Sequence, residues 1–280
     1  MAEASIIGSV LGFFIVVVSY KGFKDTYFFE QYLFDVDKIL IEGEYKRMVT
    51  SGFLHGGLWH LIFNLIALLS FSGEVEFLLG PFQYIVIYFG SLVGGNLLAL
   101  YLHRNHGDYR AVGASGAVSG IVFSFVVMSP NSSISFIFLP IEITSWVFAL
   151  LFVAVSVIGI KFQRDNIGHE AHLGGAIIGV LITIGLKFSV LRDHPWVVAA
   201  ILIPSILFLG LIVRNPAILM VEKYWGETVD NIKLGIKKKP DRISPEEELD
   251  VLLEKIRKNG LKSLSDKERK RLDELSNYRR

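Results

Sequence analysis

The chain has 280 residues, 52% of them hydrophobic, and a formal net charge of +1. Soluble domains rarely exceed about half apolar residues, and the excess lies in blocks up to about residue 213, ahead of ordinary polar sequence. The balanced charge argues against a polyanion partner such as nucleic acid, and the lack of cysteine removes disulfides, thiolate metal sites and a cysteine nucleophile together.

A helix that crosses a bilayer needs about 20 apolar residues. Seven segments qualify in chain order, near residues 5–20, 57–72, 82–102, 114–130, 143–160, 171–190 and 196–213. The first is expected to be a retained span rather than a secretory leader. Glu3 is the only charge before it, and bulky "YKGFKDTYFF" follows it in place of a small-x-small cleavage site. The long loop 21–56 is rich in aromatics and mixed charge ("TYFFEQYLF"), which predicts an interfacial position. "SPNSSISFIFLPIE" reads as a non-helical join, with Pro130 and Pro140 as breakers.

After Arg214 the character changes. A basic linker, "KLGIKKKPDR", leads to a segment with Ser244 as N-cap, Pro245 at N1 and Gly260 as the stop. Ser265-x-x-Glu268 opens a second helix with a capping-box pattern. Leu249, Leu252, Leu253, Ile256, Leu272 and Leu275 supply one apolar stripe per helix. The predicted fold class is therefore all-α: a polytopic membrane helical bundle. Six spans form a core over 1–190, a seventh covers 191–220, and a linker with a small soluble helical hairpin occupies 221–280.

Strongly polar groups inside apolar blocks are costly and usually functional. Three sets stand out. In "HGGLWHLIFN", His60 and Asn64 are four apart and share a helix face, with His55 at or before the helix start. In "GASG", Ser115 sits where loop passes into helix. There the first backbone N–H groups lack intrahelical partners and are able to bind developing negative charge. A serine at such a position is also an ordinary N-cap residue. In "GHEAHLGGAIIG", His169 and His172 are three apart, and His172 leads into a glycine-rich span. "HEAH" is one residue short of the zinc-protease pattern H-E-x-x-H. A three-histidine metal site from His60, His169 and His172 is the alternative reading. The pairs Gly116/Gly120 and Gly175/Gly179 each make G-x-x-x-G, which lets helix backbones approach closely.

Taken in order, these motifs resemble the rhomboid family of intramembrane serine proteases. "EYKRMVTSGFLHGGLWHLIFN" looks like the family's first-loop and second-span signature, "GASG" its G-x-S-G, and "AHLGGAIIG" its H-x-x-G-x-x-x-G. The resemblance covers about residues 1–190. It implies a serine endopeptidase with Ser115 as nucleophile and His172 as general base. His60, Asn64 and the Ser115 backbone N–H would form the oxyanion hole. Gly113 would keep the approach to Ser115 open, Gly175 and Gly179 would pack the sixth span on the fourth and so bring His172 to Ser115, and Gly116 would give structural support. Arg47 and Glu76 match positions used structurally. The pattern departs at Lys46, where the family often has tryptophan, and at Ser119, where some members stack an aromatic residue on the histidine. His169 is expected nearer the loop and nearer water than His172.

The resemblance implies no cofactor and no metal. Its substrates would be transmembrane proteins met within the lipid bilayer; the tail's partner stays open. The implied location is a bacterial cytoplasmic (inner) membrane with the site facing the extracytoplasmic side. The loop charges conflict with that orientation. The outer loops would hold Lys21, Lys24, Arg104, Arg110 and other cations, while the short inner loops hold only Lys187 and Arg192. Two rival functions remain: a non-proteolytic rhomboid-like protein that binds membrane clients, and a histidine-based metal carrier.

Overall fold

The computed structural model describes residues 5–136, 139–162 and 167–214, together with 252–253, 255–257, 265 and 271–272. The chain divides into two compact units, Met1–Met220 and Val221–Arg280.

In the first unit six helices are long and apolar enough to cross a membrane. They are α1 (Ile6–Lys24), α5 (Leu58–Leu79), α6 (Pro81–Leu102), α8 (Ser145–Phe162), α9 (His169–Leu186) and α11 (Pro195–Arg214). The expected fourth span is α7 (Ser115–Met128), and at 14 residues it is too short to join them. At 1.5 Å per residue it measures about 21 Å, against about 30 Å of hydrocarbon. Short helices α2 (Thr26–Tyr32), α3 (Val36–Leu40), α4 (Arg47–Thr50) and α10 (Ser189–Asp193) complete the described set of α-helices.

Two small antiparallel pairs depart from a purely helical fold. Strand β1 (Phe34–Asp35) in the first loop pairs with β2 (Arg110–Ala111), just ahead of α7. The join expected to be merely non-helical forms a hairpin of β3 (Ser133–Phe136) and β4 (Leu139–Thr144).

Local chemistry sets the helix ends. The Gly8 N–H donates to the Ser5 hydroxyl at the head of α1 (2.7 Å), an N-cap bond that satisfies one orphan donor. Gly80 alone joins α5 to α6. Its φ of +94° lies in the region glycine adopts freely, and Pro81 starts α6 at once with no N–H to lose.

Helix α7 is the centre of the unit. It is apolar or small on every side, and every residue from Gly116 to Val127 is buried. Helices α5, α6, α8 and α9 enclose it. Helix α1 lies against α5 through Gly8, Leu11, Gly12 and Ile15, spaced three or four apart.

The first loop is pinned by Arg47. Its guanidinium is buried and donates to the carbonyls of Glu30 (2.9 Å) and Leu33 (2.7 Å) and to the Glu44 carboxylate (2.6 Å). Glu76 on α5 receives the start of α1, accepting from the Ser5 hydroxyl and from the Ile7 N–H (3.2 Å).

In the second unit Leu252 is buried with Ile256 and Leu272 packed on it; Leu253, expected in the same apolar stripe, is instead exposed, since it follows Leu252 by one residue and so turns about 100° away from it. Leu249, Leu275 and the caps assigned to Ser244, Pro245, Gly260 and Glu268 lie outside the described residues.

Candidate functional site

Ser115 is the first residue of α7, with Ala114 in the cap position and no side-chain capping bond. The ordinary reading of a serine at a helix start, an N-cap, therefore does not hold. The residue that would have been spent on capping is left with a half-buried hydroxyl at the mouth of an enclosed helix.

Backbone contact between α7 and α9 carries the site. A Cβ on Gly175 would lie 3.0 Å from the Gly116 Cα, and one on Gly179 would lie 2.5 Å from the Gly120 Cα. Real Cβ atoms do not approach backbone so closely, so these positions admit only glycine. One turn nearer the head, the Cβ position of Gly116 is 3.2 Å from the Ala171 carbonyl oxygen. Residues 116 and 171 thus touch through their backbones, and their neighbours Ser115 and His172 stand on apposed helix heads. Ala171 meets α6 as well, at Gly95.

The approach to Ser115 is shaped by Gly113. Its φ is +133°, a conformation that side chains rarely adopt. A Cβ there would lie 2.8 Å from His60 Nε2 and 3.6 Å from Ser115 Oγ. The His60 imidazole and the Ser115 hydroxyl therefore border the same small space, kept open by a missing side chain. Asn64, buried one turn along α5, donates from Nδ2 to the His60 carbonyl (2.9 Å). An amide has two N–H donors, so one is left.

Two residues with no role read from the sequence belong to this site. Ala114 N–H donates to His55 Nε2 (3.4 Å), and His55 Nδ1 lies 2.9 Å from the Ser19 hydroxyl, which donates to the Phe53 carbonyl (2.9 Å). The accepting Nε2 puts the His55 proton on Nδ1, so a single tautomer satisfies the chain of bonds. His55 is fully buried and packs edge-on against His60, with centroids 4.8 Å apart. Burial, then the neighbouring His60, pushes its pKa down to about 3. Phe152 of α8 is the second. Its ring lies 6.0 Å from that of His172, so the aromatic neighbour missing at Ser119 comes from another helix. Ser119 instead donates to the Ser115 carbonyl (2.7 Å). "HGGLWH" held a signal for His55; nothing set Phe152 apart from the other aromatics of its apolar run.

His169 corrects an expectation. It is buried, not near water. Its ring packs over Gly159 of α8, where a side chain would collide with it, and lies 5.9 Å from the His172 ring. Among the described residues no group of three His, Asp or Glu side chains converges as metal ligands would, so His60, His169 and His172 do not form the three-histidine site.

Fold and site together define a multi-pass helical membrane protein with a serine at the head of a short enclosed helix and a histidine at the head of the helix packed on it. The sequence model of the Rhomboid domain matches residues 42–188, more than half of the chain, and the chain belongs to the rhomboid family. Rhomboid protein 1 of Saccharomyces cerevisiae mitochondria is 32% identical over 137 residues, which cover 48% of this chain and 40% of that protein. The putative rhomboid protease YdcA of Bacillus subtilis is 34% identical over 143 residues, covering 50% of this chain and 67% of its own. The human presenilin-associated rhomboid-like protein of mitochondria is 30% identical over 135 residues, 48% of this chain and 36% of its own. The chain thus spans well under half the length of the yeast and human relatives. Residues 238–278 match a family of unknown function, DUF6576.

Proposed function

We propose that this protein is an intramembrane serine endopeptidase that cleaves transmembrane segments with a Ser115–His172 dyad. The observation that carries the reading is the backbone contact of α7 with α9 at Gly116 and Ala171, which supports close approach of the two side chains. In this mechanism neutral His172 takes the Ser115 proton as the hydroxyl attacks the scissile carbonyl, then gives it to the leaving amine. The negative charge that develops on the carbonyl oxygen is met by the Ser115 backbone N–H, by His60 and by the second Asn64 N–H. Removing one such donor costs about 10²–10³ in turnover. Gly113 leaves room for the substrate backbone over Ser115.

The short length of α7 supports a recessed site. A helix of about 21 Å cannot span about 30 Å of hydrocarbon, so at least one end lies below a membrane surface, and in this reading that end is the head with Ser115. Non-helical backbone at that depth is tolerated where it lines a water-filled cavity, and hydrolysis needs that water. The substrate class is a single-span membrane protein with a small residue at the cleavage site and helix-breaking residues beyond it. The proposed setting is a bacterial inner membrane with the site toward the extracytoplasmic face, which makes the first loop's cations part of a packed structure rather than a topology signal.

The test is cleavage of a model transmembrane substrate by purified protein. The wild type is expected to cut it and Ser115→Ala to be inert while still folded. Cleavage by folded Ser115→Ala would end the dyad reading. A wild type that binds the substrate without cutting it would point to the client-binding alternative.

A further inference from the structure

A second polar cluster lies behind the site, where the end of α6, the strand leading to α7 and the head of α9 meet. His103 caps the end of α6 and is buried. Its Nε2 lies 3.1 Å from Glu170 Oε1, and Glu170, also buried, is the second residue of α9. A carboxylate only accepts, so the proton is on His103 Nε2. The other face of the cluster is Tyr109, whose ring stacks on His103 at 3.6 Å and 9°. Phe34 of the first loop packs edge-on with Tyr109, at 6.1 Å. The Tyr109 hydroxyl is 3.7 Å from the Cβ position of Gly168, the N-cap of α9. Burial, with the Glu170 carboxylate adding to it, pushes that hydroxyl up from its ordinary value. Tyr109 immediately precedes β2, which runs into Gly113 and Ser115.

We propose that Glu170, held by His103 and screened by Tyr109, is a positioning residue that sets the rotation of the first turn of α9 and so the direction in which His172 faces. The inference rests on the Ser115–His172 reading of the site. Its geometry is simple. Residues 170 and 172 are about 200° apart around a helix. Glu170 therefore faces the end of α6 while His172 faces α8, where Phe152 lies against it. Glycine contacts at Gly95, Gly116 and Gly175 fix how α9 lies against α6 and α7, and its first turn, whose backbone N–H groups lack intrahelical partners, is the least constrained part of the helix. A hydrogen bond from a buried histidine to a buried carboxylate on the opposite side of that turn removes the freedom. Both partners are buried, and a buried polar group left without its hydrogen bond is costly, so the turn has one favourable rotation. Tyr109 ties the same cluster to the segment that carries Ser115, so both ends of the dyad are referred to one anchor.

A residue that only stabilises the fold lowers the melting temperature and leaves the turnover of folded enzyme alone. A positioning residue changes kcat and leaves KM. The experiment therefore measures kcat and KM for a model transmembrane substrate, and the labelling rate of Ser115 by a fluorophosphonate. The full-length proteins compared are the wild type, Glu170→Ala, Glu170→Gln, His103→Ala and His103→Gln, each assayed well below its own melting temperature. A misplacement on the order of 1 Å costs up to about 10²-fold. The expected result is a kcat and labelling rate reduced about 10- to 100-fold in Glu170→Ala with KM within about twofold. Glu170→Gln, which keeps the accepting oxygen, should recover most of the loss. Wild-type kcat in Glu170→Ala, or a Glu170→Gln as slow as Glu170→Ala, would overturn the proposal. If Glu170→Ala does not fold, the His103 pair decides: a kcat-only loss in His103→Ala, partly restored in His103→Gln, supports it, and unchanged kcat contradicts it. A wild type that neither cleaves nor is labelled would instead refute the protease reading itself.

Discussion

Helices α7 and α11 are similar in composition and opposite in use. Both are built almost entirely of apolar and small residues. In α7 every residue from Gly116 to Val127 is buried; in α11 Ile203, Ile206, Leu207 and Leu211 are exposed and only one side packs, with Trp196 edge-on to Trp146 of α8. The difference lies in the small residues. Gly120 of α7 is matched by Gly179 of α9 with backbone nearly touching backbone, whereas Gly210 of α11 has nothing within 4 Å of its Cβ position. Lipid is as apolar as a leucine side chain, so hydrophobicity alone cannot bring membrane helices together, and close packing of small residues does so instead. Backbone contact also fixes geometry to a fraction of an ångström, which the head of α7 needs and α11 does not.

That contrast is broken most directly at the glycines. Gly179→Val is expected to cause the largest effect. Its side chain has no flexible neighbour to displace, only the Gly120 backbone at 2.5 Å, and overpacking of this kind costs about 1–3 kcal/mol or more. Thermal unfolding in detergent should show a lowered midpoint, and turnover should fall with it. Gly210→Ala in α11 is the control, expected to be neutral or stabilising by up to about 1 kcal/mol. Equal losses from the two substitutions would mean that the α7–α9 contact is not special.

A moderate effect is expected from acid, because the head of α7 is held by a buried imidazole. The pKa of His55 falls on folding from the usual 6.5 to about 3, so the folded state favours the neutral ring. The stability this group contributes is complete above pH 6.5 and is lost as pH falls from 6.5 toward 3. The slope is about 1.4 kcal/mol per pH unit at most. Unfolding midpoints of the wild type and of His55→Gln, measured from pH 8 to pH 4.5, should converge as the pH drops. Parallel curves would show that His55 does not carry the dependence.

The smallest effect concerns the tail. Deletion of 237–280, which removes the whole stretch matching a family of unknown function, should leave turnover of the model substrate within about twofold. Loss of activity in a folded truncated protein would make the tail part of the enzyme.

The apolar runs made most of the helices legible, because a span announces itself by length and composition. They also hid the main departure. The apolar sequence over 114–130 invites a full span, and the helix starts within one residue of that expectation, but at Ser115–Met128 it has 14 residues and is too short to cross. The β3–β4 hairpin was visible only as a pair of prolines, since strand pairing depends on a partner the local sequence does not name. At the site, Ser115, His60, Asn64 and His172 stood out because polar residues are rare in apolar blocks. His169 stood out for the same reason and was misplaced. It heads a helix, which reads as exposed, but Gly159 of α8 makes a recess that buries it. Phe152, His103 and Glu170 were not legible at all. Each is an unremarked residue whose neighbours come from a different helix, and only tertiary packing brings them together.

The central claim is that Ser115 is activated by His172, and labelling by a serine-directed fluorophosphonate tests it most directly. Purified wild type, Ser115→Ala, His172→Ala and His169→Ala are treated in parallel, with folding of each checked by its melting curve. Without a base the hydroxyl is a poor nucleophile at neutral pH. Labelling should therefore be confined to Ser115, vanish in Ser115→Ala and His172→Ala, and persist in His169→Ala. Labelling that survives in folded His172→Ala and disappears in folded His169→Ala would contradict the account and assign the base to the other histidine.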